Sequence, residues 1–205
     1  MTEFNHGAFV TALRARQGSI PTKLYADLMA SIDAGLGRAQ PMAAPVMAGE
    51  PAWMVEARRY MGVTEIPGAK HNPIILSWWK ALGRPYTDDE TPHCGGFQGY
   101  CMKQVGLPVP SIPERAKAWA DWGKPCAPVL GAVAVFGRDG GGHVGMLAGQ
   151  SAANWYVLGS NQRNQVNIMP IAKDRLIATR WPASLPLGTQ PLPQMSGGIV
   201  SRNEA

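Results

Sequence analysis

Residues 129–160 read VLGAVAVFGRDGGGHVGMLAGQSAANWYVLGS. Three apolar runs, 129–136, 143–149 and 154–160, have the length of strands, and glycine-rich turns separate them. Short runs punctuated by glycine predict an antiparallel meander. Two further runs, QVNIMPI (165–171) and RLIATRWP (175–182), continue it.

Upstream of this stretch the apolar period changes to that of helices. WMVEARRYM (53–61) reads as helix up to Gly62. Asn72 and Pro73 are a cap and first-turn pair, and PIILSWWKAL then runs to Gly83. Cys94, Phe97, Cys101 and Val105 share a helical face that Gly106 closes, and residues 114–122 form one more short helix. Helices first and an antiparallel sheet second define an α+β domain over 52–183.

The flanks read differently. Over 1–36, Phe4, Ala8, Phe9, Ala12 and Leu13, and after Pro21 a four-residue spacing of Leu24, Leu28, Ile32 and Leu36, predict a helical hairpin. It is too small to stand alone, so it packs, dimerises or docks on a partner. Residues 37–51 are rich in Pro, Ala and Gly and read as a linker, and 184–205 read as a flexible tail.

The chain has 205 residues, a net charge of +5 and a pI near 9.3. The basic residues are dispersed, so no nucleic-acid partner is expected. No apolar run has membrane-spanning length. MTEFNHGAFVTALRARQG lacks the parts of a signal peptide, which predicts synthesis in the cytoplasm and release by another agent if the protein acts outside. The three cysteines, Cys94, Cys101 and Cys126, are odd in number and contain no C-x-x-C pair, and His6, His71, His93 and His143 lack zinc spacing. No metal, cofactor or disulfide framework is expected. Asp88, Asp89 and Glu90 read as a solvated loop, with calcium binding or recognition of a substrate amine as the other readings.

Cys94 carries the chemistry. It follows Thr91-Pro92-His93 at the first turn of its helix, where free amides and partial positive charge favour a thiolate. Those amides can also hold the oxyanion of an acyl transfer. His143, after three glycines, is the candidate base. Asn161 ends the next strand and is the candidate to orient the imidazole, with Gln162 its rival. The plainer alternatives are a buried small apolar Cys94, a solvent-facing hairpin histidine and a turn-forming Asn161.

ARRYMGVTEIPGAKHNPIILSWWKALG, DDETPHCGGFQGYCMKQVG, GAVAVFGR, GGHVGMLAG, VLGSNQRNQVNI and IATRWP lie in this order between Trp53 and Pro182. Together they resemble the NlpC/P60 and CHAP superfamily of papain-like peptidoglycan hydrolases, and more narrowly a phage- and prophage-borne, endolysin-like subfamily. The resemblance implies a papain-like fold, with Cys94 as nucleophile, His143 as general base and acid, and Asn161 as the orienting residue. It implies a monomeric thiol enzyme that cuts an amide bond of the peptidoglycan stem peptide, as endopeptidase or N-acetylmuramoyl-L-alanine amidase. Such an enzyme needs no cofactor and reaches the wall from the cytoplasm, for example through a holin. The hairpin over 1–36 is then a candidate wall-binding element.

Two positions depart from the pattern. His93 stands where the subfamily commonly has Trp, and Gly95-Gly96 replace a small pair such as Ser-Ala. This predicts a looser first turn, or one specialised for close substrate approach. His93, Gly95, Gly96, Glu90 and Gln162 are accordingly the candidate substrate-binding residues. The alternative function is a catalytically silent wall-binding or virion structural protein.

Overall fold

The computed structural model describes residues 49–138, 140–202 and 204. The hairpin expected over 1–36 and most of the linker lie outside the described residues. Three α-helices come first: α1 (Ala52–Arg58), α2 (Pro73–Leu82) and α3 (Cys94–Gln104). A 3-10 helix, Ala116–Asp121, leads to six strands: β1 (Lys124–Pro125), β2 (Val133–Arg138), β3 (Gly141–Gln150), β4 (Asn154–Gly159), β5 (Asn167–Ala172) and β6 (Leu176–Trp181). They form one antiparallel sheet in the order β1-β6-β2-β3-β4-β5. The α+β class expected from the sequence is the class observed.

The sheet is not a plain meander, however. β6 returns beside β2, and the two-residue β1, which no periodicity announces, pairs with β6 at the edge.

Local signals explain α2 well. The Asn72 side chain accepts from the Ile74 amide at 2.9 Å, Pro73 opens the first turn, and Gly83 ends the helix at φ 68°. α1 stops at Arg58, earlier than expected, because Arg59, Tyr60 and Met61 bond three residues back and tighten the chain. The segment expected as helix over 114–122 winds as 3-10 helix, held at its start by Trp119 Nε1 donating to the Pro113 carbonyl at 2.8 Å.

The helices meet in an aromatic cluster. Phe97 of α3 lies 4.8 Å from Trp78 of α2 and 5.9 Å from Tyr60, centroid to centroid, and the Tyr60 and Tyr100 hydroxyls are 2.8 Å apart. Burying these rings fixes α3 against α1 and α2. α3 also packs on β3.

Of the segment expected as a flexible tail, 184–205, the described residues are laid against the sheet instead. The Leu130 amide donates to the Gln190 carbonyl at 3.0 Å, and the Gln150 amide to that of Pro193 at 2.9 Å. The Met195 amide bonds the Gln150 carbonyl at 2.8 Å, Tyr156 Oη the Gly197 carbonyl at 2.7 Å, and the Ser201 amide the Pro170 carbonyl at 2.9 Å. Main-chain groups hold this segment more than apolar anchors do, so its Pro/Gly/Ser-rich composition conceals the attachment.

Among the described residues no helix is long and apolar enough to cross a membrane, and no group of His, Cys, Asp and Glu side chains has the arrangement to hold a metal ion.

Candidate active site

Cys94 is the first residue of α3, with His93 at the cap position. Its sulfur hydrogen-bonds the amides of Gly95 and Val144, and Val144 is the neighbour of His143 on β3. The thiol therefore sits against both a helix start and a strand start. Cys94 is 5% exposed and His143 0%. Burial raises the Cys94 pKa, and the two amides offset only part of that. Burial also lowers His143 to about 4, against the opposing pull of Glu204 and Gln162. At neutral pH the pair is thiol and neutral imidazole.

The tautomer of that imidazole follows from its neighbours. Gln162 Nε2 donates to the Val157 carbonyl at 3.1 Å, and to the carbonyl and side-chain oxygen of Asn167 at 2.8 Å each. These acceptors fix the amide with Oε1 toward His143 Nε2, 3.1 Å away. An amide oxygen only accepts, so His143 Nε2 carries the proton. His143 Nδ1 is left as a bare lone pair, buried and without a hydrogen-bond partner among the described residues. A base held in one tautomer with its lone pair free is the arrangement a proton transfer from a thiol requires.

Gln162, rather than Asn161, thus meets the histidine. Asn161 has φ 59°, within a turn that also places Arg163 and Asn164 in the left-handed region. That backbone turns its side chain away from His143, and Nδ2 donates to the Glu204 carbonyl at 2.6 Å. The contact with the imidazole expected of Asn161 is made by Gln162.

His93 is also wholly buried. Its Nδ1 meets Ser160 Oγ, and its Nε2 lies 3.0 Å from Glu65 Oε1. Burial lowers its pKa to about 4, so the contact with Glu65 is a neutral imidazole donating to a carboxylate, with the Ser160 hydroxyl donating to Nδ1. Burial, with Asp89 and Glu90 nearby, raises Glu65. His93 is therefore engaged with its own chain rather than open to a substrate. Glu90 is exposed.

Comparison with protein-family models, with curated proteins and with solved structures returns no match. What this chain can do is read from its own residues.

Gly95 and Gly96 make room for the protein itself. A Cβ on Gly95 would lie 2.4 Å from the Pro113 carbonyl oxygen and 2.6 Å from that of Glu114. A Cβ on Gly96 would enter the Trp79 ring at 2.2 Å. The first turn of α3 is thus densely packed, not loose, and neither glycine leaves a gap for substrate approach. Gly95→Ala tests this. Helix propensity alone would favour Ala by about 1 kcal/mol. Displacing backbone carbonyls outweighs that gain, and we expect a net loss of about 2 kcal/mol in urea unfolding. A stabilised variant would contradict the packing.

Several participants have no sequence signal. Asp89, expected in a solvated loop, is fully buried. It accepts from the Ile66 and Asn72 amides at 2.8 Å each and from His71 Nδ1 at 3.0 Å. Burial alone would raise its pKa, but these donors outweigh burial and hold it below the usual carboxylate range. Asp89 clasps the 66–72 segment to the loop before Cys94. Glu65 reaches His93 because residues 62–65 pair with 164–166: the Gly62 amide bonds the Val166 carbonyl, and the Glu65 amide that of Asn164, both at 2.8 Å. Arg175 and Glu204 enter from the far end of the chain, joined by two hydrogen bonds of 2.8 Å.

Proposed function

We propose that the protein is a papain-like thiol hydrolase that cleaves an amide bond in the stem peptide of bacterial peptidoglycan. The observation that carries this reading is the fixed tautomer of His143: its proton is committed to Gln162, and its Nδ1 lone pair has no partner among the described residues, on a strand that packs against the helix beginning at Cys94. The order Cys94, His143, amide and the resemblance of the surrounding segments support the substrate class.

In the proposed mechanism His143 Nδ1 takes the Cys94 proton as the sulfur attacks the stem-peptide carbonyl carbon. The resulting oxyanion is held by amides at the start of α3. The imidazolium then returns its proton to the leaving amine, the C–N bond breaks, and an acyl-thioester remains on Cys94. Water, deprotonated by His143, cleaves the thioester and restores the thiol. Gln162 keeps Nε2–H in place throughout.

A second reading, a catalytically silent wall-binding or virion protein, is favoured by the burial of Cys94 and its raised pKa. Turbidity of purified sacculi separates the two. Wild type is expected to clear the suspension and Cys94→Ala to leave it unchanged. Equal clearing by both proteins would remove Cys94 from the mechanism, and clearing by neither would favour the silent reading.

A further inference from the structure

The chain's own C-terminal segment lies beside the candidate site: Glu204 bonds Arg175 and Asn161. Glu204 presents its carboxylate to Arg175 in a two-pronged contact, Nη1 to Oε1 and Nη2 to Oε2, each 2.8 Å. Its side chain is 0% exposed. The Glu204 main-chain carbonyl accepts from Asn161, the residue next to Gln162. Arg175 itself is anchored independently, since Nε donates to the Gly137 carbonyl on β2 at 2.9 Å. A guanidinium so held presents a fixed fork, the geometry that recognises a planar carboxylate.

The stretch just before Glu204 is exposed: residues 196–200 all face outward, with Ile199 68% exposed and Val200 42%. It runs between Leu192, which is buried in the core, and Ser201, whose carbonyl accepts from Arg175 Nη1 at 3.1 Å, and in between it is held by hydrogen bonds to Gln150, Pro170 and the Tyr156 hydroxyl. Such bonds exchange readily for water, and segments that bury little apolar surface open at low cost. Cys94 is 5% exposed and His143 0%, so neither meets a polymer until a neighbouring segment moves.

We propose that residues 196–202 with Glu204 are a self-bound strap beside the Cys94 site, and that Arg175, which holds the Glu204 carboxylate, receives a free carboxylate of a peptide substrate when the strap leaves. The proposal rests on the peptide-cleaving reading of the site. The charge of Glu204 raises the pKa of both Cys94 and His143, so it opposes the thiolate and favours the imidazolium. Displacing the strap uncovers the sulfur and takes that charge away from it.

Labelling of Cys94 by iodoacetamide in the full-length protein, read by peptide mass spectrometry, tests the strap. Glu204→Gln keeps the shape and removes the charge, and Glu204→Arg turns attraction to repulsion. Labelling is expected to rise about tenfold in E204Q, the factor set by losing one charged hydrogen bond, and further in E204R. Cys101, 0% exposed inside α3, gauges unfolding in the same sample. A rise at Cys94 alone supports the strap. Unchanged Cys94 labelling, or a parallel rise at Cys101, overturns it.

A second arm adds N-acetyl-alanyl-glutamate to E204Q. The dipeptide is expected to slow Cys94 labelling, and Arg175→Gln in the same background to abolish that protection. Absence of protection in E204Q, or its persistence without Arg175, overturns the carboxylate site. Neither arm uses cell wall, so an expected labelling pattern alongside inactivity on sacculi would remove the substrate reading and leave the strap.

Discussion

His143→Ala is expected to reduce the release of soluble fragments from sacculi by about a thousandfold or more, because the proposed mechanism loses its general base. Gln162→Ala is expected to cost roughly one to two orders of magnitude, since the imidazole remains but its tautomer is no longer fixed. Asn161→Gly is expected to spare the rate. Glycine keeps the left-handed backbone at φ 59°, and the lost amide touches Glu204, not His143. Gln162→Ala also strands the carbonyls of Val157 and Asn167, so rates are compared below each variant's unfolding temperature. A pattern in which Asn161→Gly is the damaging change and Gln162→Ala is neutral would overturn the assignment of the third residue.

Acidification from pH 7.5 to 5 is expected to destabilise the protein well before its carboxylates titrate. His93 and His143 have pKa values of about 4 when folded, against 6.5 in the unfolded chain. Between these values the unfolded state binds more protons than the native state. The stability that the neutral imidazoles contribute is therefore fully present above 6.5 and is lost as pH falls toward 4. Each histidine accounts for about 2 kcal/mol of loss between pH 7.5 and 5. Together they lower the melting temperature by about 10 °C in a domain of this size.

The carboxylates facing them do not reproduce this. Asp89 and Glu204 have lowered values, so they lose their contribution only at still lower pH, while Glu65, raised by burial, works in the opposite direction as it protonates. His93→Gln is expected to halve the pH dependence in thermal melts. A melting temperature that stays level from pH 7.5 to 5 would mean that the histidines are not buried as neutral groups.

The parts of the fold that sequence reading reaches are those set by local chemistry. Asn72, Pro73 and Gly83 each act within a turn of α2, and the glycines between β2 and β3 mark a hairpin. Cys94 at the start of a helix is legible for the same reason. The choice between Asn161 and Gln162 is not, because it depends on left-handed backbone at Asn161, Arg163 and Asn164, on both sides of Gln162, and on where Asn167 places its carbonyl. Glu65, Arg175 and Glu204 are brought to the site by long-range pairing of the main chain, and main-chain hydrogen bonds leave no trace in side-chain pattern. The glycines after Cys94 look permissive in sequence. They are compulsory once Trp79 and the 113–114 backbone are in place.

Mass spectrometry of digested peptidoglycan tests the central claim most directly. The account predicts fragments with a new free amine and a new carboxylate on either side of one stem-peptide amide, produced by wild type and missing from the Cys94→Ala digest. New reducing ends from a cut glycosidic bond, or the same peptide fragments from Cys94→Ala, would contradict it.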